Sequence, residues 1–327
     1  MKKRYPKIIR TLTYKRLDAD RVEVEEYLSD NLYEVSVHSA RLMQKLDGKT
    51  DPYTIPTPME PEEVEELLLF LKEHELLKQS RFRSVFPLYV LLPLVQMKRI
   101  KLVRLFACLS NWVLMLTWIP MLLAGLVCYD FLQYDMEFGG LGWGLALGYA
   151  SGLVLHELGH AFAGYSYKAR VYEMGVGLMF LVCPIFYVML KADDVRKRMQ
   201  RVQIYAAGIE TNFWLCGLYL ICATVWFPAM GGLFLEAALV NALLGGTNLL
   251  CMFGLDGGKI LSELLGDPHL FWSSIVIVLS GEDRQPIAQK GVTGYAMIAM
   301  YVILGLMQIG WIAIILSTIW EGVRLFL

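Results

Sequence analysis

The stretch His156-Glu157-Leu158-Gly159-His160 sets two imidazoles and a carboxylate in the spacing H-E-x-x-H. On a helix, residues four apart lie on one face, about 6 Å from each other. Both rings can therefore reach one tetrahedral Zn²⁺ while Glu157 points toward a water on that ion and can take its proton. A lone histidine in an apolar helix is usually a satisfied core residue. Two histidines and a glutamate in one apolar run are different, because each costs roughly 2 kcal/mol or more to insert into a membrane unless paired or ligated. A third ligand is offered by Asp256, in Leu255-Asp256-Gly257-Gly258. A carboxylate suits zinc, the paired glycines let the chain bend into a site, and three protein ligands leave a fourth position open for water. Upstream of the motif, Gly140, Gly144, Gly148 and Gly152 keep the same spacing, a ridge of small residues along which a second helix can come close.

The elements that must position these residues belong to two solvents. Of the 327 residues, 56% are hydrophobic and 19% charged, with a mean hydropathy of +0.46, too apolar for an ordinary soluble domain. Residues 1–80 hold 13 Lys+Arg and 16 Asp+Glu, 29 of the 61 charges, and the remaining 247 residues hold only 32. A polar head in water and a body in a bilayer follow, since about 20 apolar residues span the hydrocarbon. The net charge of −1 gives no reason to expect a nucleic-acid partner. All six cysteines fall in the apolar body without a C-x-x-C pair and read as small buried apolar residues. The basic start MKKRYPKIIR is followed by polar sequence, so no cleaved leader is expected.

In the head, alternation over residues 33–37 predicts a strand, and the spacing over 39–46 predicts a helix stopping at Asp47-Gly48. Four prolines over 52–61 interrupt the chain, and a Leu-rich helix with acids in its first turns is expected over 62–78. Residues 81–104, broken by Pro87 and Pro93, read as a connector on the membrane surface. Crossings are expected over about 105–129, 138–165, 202–227, 231–253 and 294–320. Residues 269–280 are too short for assignment. Lys98, Arg99, Lys101 and Arg104 before the first crossing, with Asp130, Asp135 and Glu137 after it, put its N-terminal end in the cytoplasm. Residues 171–190, apolar and β-branched but interrupted by Glu173, Gly175, Gly177 and Pro184, read as a re-entrant hairpin or loop.

With these motifs in view, the chain resembles the site-2 protease family of intramembrane zinc metalloproteases over roughly residues 82–320. HELGH matches the family's H-E-x-x-H helix, and NLLCMFGLDGG lines up with its second signature, an Asn followed some eight residues later by Asp-Gly. The resemblance implies His156, His160 and Asp256 as metal ligands and Glu157 as general base. Gly208-Ile209-Glu210-Thr211-Asn212 resembles the family's Gly-x-x-x-Asn element, which implies that Asn212 helps hold the substrate, and Asn248 shares that role by the same resemblance. Glu210, two residues from Asn212, reads as a group supporting the site from behind. Ile209, Cys251 and Gly254 stand where the family usually has Pro, which leaves the ligands intact and alters loop shapes. Together with Phe186-Tyr187-Val188, these features look most like the branch described as peptide zinc metalloproteases. The head is similar to the small winged-helix peptide chaperone of pyrroloquinoline quinone biosynthesis, whose relatives bind leader peptides by adding them as a strand.

The expected architecture is thus a multi-pass α-helical membrane protein with a small α+β, winged-helix-like cytosolic domain over 1–80, a connector over 81–104 and a transmembrane zinc metalloprotease domain over 105–327. The expected reaction is hydrolysis of a peptide bond in a membrane-associated or ribosomally made peptide. A peptide exporter or peptide-modifying enzyme is the expected kind of further partner. The contrasting reading is a catalytically silent peptide receptor or export accessory. The intact Glu157 argues against it, since a structural zinc site needs no base.

Overall fold

The computed structural model describes residues 5–9, 12–26, 31–74, 76–77, 83–85, 89–96, 101–132, 142–179, 183–252, 254–280 and 292–326. The chain divides into two compact units, Met1–Gln96 with Gly175–Leu181, and Met97–Met174 with Val182–Leu327.

The first unit opens on three antiparallel strands in the order β1 (Leu12–Arg16), β2 (Arg21–Glu26) and β3 (Asn31–Ser36), with Val24 opposite both Tyr14 and Tyr33. In β2 the valines of RVEVEE are buried and Arg21 is exposed, the period of two that a half-buried strand requires. Ser36 caps α1 (Val37–Lys45) by accepting the Ser39 N–H at 3.0 Å. Beyond α1, Gly48 takes a φ of 82°, a conformation that favours glycine. The Asp47 carboxylate accepts the N–H groups of Lys49 and Thr50 at 2.8 and 2.9 Å, and these hold its pKa below the ordinary value. Helix α2 (Pro61–Glu73) starts at a capping box in which Glu63 accepts the Glu60 N–H at 2.9 Å. Val24, Leu42, Met43, Leu46, Leu71 and Leu76 form the centre of its core, each 2% exposed or less. The expected strand and both expected helices are present, and β1 and β2 are additional.

The connector expected over 81–104 contains secondary structure of its own. Strands β4 (Arg83–Val85) and β5 (Tyr89–Gln96) pair antiparallel with Ser84 opposite Val90. Within this connector, Arg83–Val85 and the first residues of β5 satisfy part of their backbone in that ladder. Pro93 lies past Leu91, the last residue of β5 paired to β4, so its missing N–H costs that pairing nothing. Lys98 and Arg99 lie outside the described residues.

The second unit is built on α3 (Lys101–Leu132), α4 (Trp143–Ser166), α5 (Arg198–Ile221), α6 (Gly231–Asn248), α7 (Asp256–Leu265), α8 (Leu270–Leu279) and α9 (Val292–Phe326). Four stretches, Val103–Asp130, Arg198–Trp226, Pro228–Asn248 and Gly294–Ile314, are long and apolar enough to cross a membrane. Helix α4, the second of the five expected crossings, has 24 residues, but its glycines and its His-Glu-His group lower its hydropathy and it is not among the four. The crossing expected to run to Phe253 ends as a helix at Asn248. Asp135, Glu137, Gly140 and Phe253 lie outside the described residues. The short segment 269–280 contains the ten-residue α8. The expected hairpin over 171–190 appears as two strands, β6 (Arg170–Met179) and β7 (Cys183–Lys191), and β7 ends the strand order of its sheet. On β6 the buried Glu173 accepts the Tyr187 hydroxyl at 3.2 Å. Arg170 holds Asp194 by two hydrogen bonds of 2.5 and 2.7 Å. Burial pushes the Asp194 pKa up, but Arg170 more than offsets it and the value is lowered.

The small-residue ridge of α4 packs on α6 as its spacing implies. A Cβ added at Gly144 would stand 2.2 Å from the Leu233 carbonyl oxygen, and one at Gly148 would stand 2.7 Å from the Ala237 Cα. Helices this close gain dispersion contacts and bring buried polar groups into hydrogen-bonding range, which is how association proceeds where lipid removes the hydrophobic drive. Glu236 is buried in this contact, with Oε2 2.7 Å from the position of a Gly144 Cβ. It is a polar side chain held inside a helix–helix contact.

Candidate metal centre

Three helices of the second unit bring the site together. Helix α4 carries His156, Glu157 and His160, α5 lies alongside with Ile204, Gly208 and Asn212, and α7 begins at Asp256. The two glycines after Asp256 set α7 down on the preceding loop. A Cβ at Gly257 would be 2.3 Å from the Leu249 carbonyl oxygen, and one at Gly258 2.3 Å from that of Met252. Asp256 is thereby fixed at the helix N-terminus, 4% exposed, beside His156 at 7% and His160 at 6%.

His156 Nε2 and His160 Nε2 are 3.0 Å apart, and Asp256 Oδ2 stands 2.9 and 3.0 Å from them. The hydrogen-bond network decides where the imidazole protons are. His160 Nδ1 faces the Ile204 carbonyl oxygen at 2.7 Å, which can only accept, so Nδ1 carries the hydrogen. His156 Nδ1 faces Asn212 Oδ1 at 2.6 Å. The Asn212 amide is oriented by its NH₂, which donates to Gly152 O and Asn241 Oδ1, each at 3.2 Å. Asn241 is oriented in turn by donating to Gly148 O and Ala237 O at 3.2 and 2.9 Å. His156 Nδ1 is thus also a donor. In the neutral rings both Nε2 atoms then present lone pairs to each other and to a carboxylate oxygen, with no proton among the three.

Three acceptors that converge in a buried space suit a cation, and this donor chemistry fits a metal. A tetrahedral ion with ligand distances of 2.0–2.1 Å sets its ligands about 3.3 Å apart, close to the triangle found. Room for it depends on Gly208, where a Cβ would come within 2.5 Å of His160 Nε2 and 2.6 Å of His156 Nε2. Any other residue there would fill the space into which the donors point. His156, Glu157 and His160 together offer ligand atoms within 4.8 Å of one another. The half-buried Glu157 is held by backbone, its Oε2 accepting the Val188 N–H of β7 at 2.8 Å.

The residues singled out in sequence divide accordingly. His156, His160 and Asp256 converge with Glu157 beside them, and fully buried Asn212 sits behind His156. Asn248 bonds back to Leu244 O of its own helix at 3.0 Å, and Glu210 accepts from Gln203 at 2.8 Å, so neither is hydrogen-bonded to the cluster. Sequence reasoning did not single out Asn241, the Gly208 contact, the Val188 N–H or Lys259, which donates to Asp256 Oδ1 at 3.1 Å. Asn241 carries a readable signal, an amide within an otherwise apolar helix. A backbone N–H carries none.

Comparison with known proteins gives a distant match. Over 128 residues the chain is 30% identical to a zinc metalloprotease of Methanocaldococcus jannaschii, a stretch covering 38% of this chain and 35% of that protein. The chain therefore spans about a third of that relative's length. No family model matches, and no solved structure matches.

Proposed function

We propose that this chain is an intramembrane zinc metalloprotease of the site-2 kind, which hydrolyses a peptide bond in a membrane-associated or ribosomally made peptide. The observation that carries the proposal is the convergence of His156, His160 and Asp256 as three lone-pair donors with a carboxylate base beside them. The distant zinc metalloprotease relative supports it. Bound zinc would supply an acidified water and a Lewis acid for the scissile carbonyl. Glu157 accepts a proton at its carboxylate and returns it to the leaving amine. Asn212 and the Ile204 carbonyl hold the two imidazoles in the tautomer that leaves both Nε2 atoms free. Strand β7, with sheet partner β6 on one side, offers main-chain groups that would keep an unwound substrate extended, and Asn248 belongs to the same binding role. Glu210 supports α5 behind the site through Gln203.

The head acts as the capture domain in this reading. β3 is an outer strand of its sheet, and a cavity of 590 Å³ between β3 and α2 is lined by Val35, Met59, Leu67 and Phe70 together with Glu63 and Glu66. An extended peptide can add to such an edge. By the positive-inside rule the head lies in the cytoplasm, where a peptide-modifying enzyme or an exporter would be the further partner.

The test is a pair of variants of the full chain in detergent. Glu157→Gln is expected to keep about one equivalent of zinc and to lose cleavage of a labelled transmembrane peptide by roughly 10²–10⁴-fold, whereas His160→Ala loses both. Retained cleavage in Glu157→Gln would remove Glu157 as the base. Full zinc content in the His156→Ala/His160→Ala double variant would remove the centre altogether.

A further inference from the structure

We propose that Lys259 is a positioning residue of the metal centre, clamping the outer oxygen of Asp256 so that a single carboxylate oxygen faces the ion. The inference rests on the zinc reading above and concerns how that site keeps a position open. A carboxylate beside a divalent ion can bind through one oxygen or two, and two would take up the place that a hydrolytic centre needs for water. Here Oδ2 of Asp256 faces both imidazoles at 2.9 and 3.0 Å, and Oδ1 accepts the Lys259 ammonium at 3.1 Å.

The clamp is built by α7 and its neighbour. Lys259 lies three residues after Asp256 and four before Glu263, so either acid is within reach on the helix surface. Glu263 is engaged by Arg201 of α5, at 2.9 Å from Nε and 2.8 Å from Nη2. The Tyr205 ring, one turn on along α5, has its centroid 5.5 Å from the Lys259 Nζ, within the range in which an aromatic face attracts an ammonium. With Glu263 occupied and the ring beside it, the ammonium settles on Asp256. Its three donors suit one carboxylate oxygen and leave the other to the metal. Lys259 touches no reacting atom and acts through Asp256.

The experiment compares Lys259→Met, Lys259→Arg and Glu263→Gln in the full chain, with helical circular dichroism to confirm folding. Zinc affinity is read by chelator competition, and coordination by the visible absorption of the cobalt-substituted protein, which is intense for four-coordinate cobalt and weak for five-coordinate. Lys259→Met is expected to weaken zinc about 10–100-fold, the usual effect of losing a group that orients a ligand, and to lower the cobalt absorption. Lys259→Arg should restore most of both, and Glu263→Gln should leave the cobalt spectrum four-coordinate. Parental affinity and spectrum in a folded Lys259→Met would overturn the proposal, as would an equal loss in Glu263→Gln, which would mark a general effect on α7. Asp256→Ala separates the two levels. If it binds zinc like the parent, the metal reading itself fails, and if it loses zinc while Lys259→Met does not, only the clamp fails.

Discussion

In the head, the largest side chains withdrawn from the surroundings are Val24, Leu42, Met43, Leu46, Leu71 and Leu76, whereas in the second unit they are Ile204, Ile277, Glu173, Asn212 and Asn241. The outward faces reverse as well. Helix α3 alone exposes Phe106, Leu109, Trp112, Val113, Leu116 and Leu123, while β2 and α1 of the head turn Arg21, Arg41 and Lys45 outward. In water, burying apolar area is the drive and polar groups go outside. In lipid that drive between helices vanishes, and polar side chains that would be costly in hydrocarbon are instead satisfied inside, where small residues let backbones meet. The second unit's polar interior is therefore both what joins α4, α5 and α6 and what orients the His156 and His160 rings, whereas the head's interior is apolar.

Three substitutions sharpen or break this contrast. The largest effect is expected at Gly208→Ala, whose Cβ would enter the space between the two imidazoles. Metal analysis should show loss of stoichiometric zinc, while Gly246→Ala, on α6 with nothing within 4 Å of the added carbon, should keep it. Normal zinc in Gly208→Ala would mean that the donors converge elsewhere. Next is Leu42→Ala in the head, which leaves a cavity in a core that is 1% exposed at that residue and should cost about 2–5 kcal/mol. Hydrogen exchange should then rise across β2, α1 and α2 with the zinc content unchanged, and zinc lost in parallel would show the two interiors to be one cooperative structure. The smallest effect is expected for Leu116→Ala on α3, a large apolar side chain 64% exposed. In micelles its thermal midpoint and zinc content should match the parent's within the effect of about 0.5 kcal/mol usual for surface sites. A large destabilisation would place protein, not lipid, against that face.

Much of this arrangement was legible where a residue's own type states its task. His156, Glu157 and His160 announce themselves by spacing along one helix, and Asp256 by the pair of glycines behind it. The long apolar runs of α3, α5, α6 and α9 read directly as helices able to cross a bilayer. What escaped depends on neighbours far along the chain. β2 displays an alternating pattern, but the charges among its valines make it look like solvated loop until β1 and β3 supply partners on both sides. The β5 run, apolar and broken by Pro93, gives no sign of a strand until β4 pairs with it. Gly208 reads as the small residue of a motif, and its importance appears only when α4 is packed against it, 52 residues from His156 and 48 from His160 along the chain. Lys259 follows a recognisable Asp-Gly-Gly, yet its contact depends on Arg201 having taken Glu263.

The carboxylate of Glu157 is held by the N–H of Val188, and that N–H belongs to every amino acid except proline. Position 188 can take other side chains that fit the apolar cluster Val188 packs against without losing the hydrogen bond to Glu157, and the only change the hydrogen bond itself forbids is to proline. A substitution there changes a letter of the sequence and leaves the backbone contact in place.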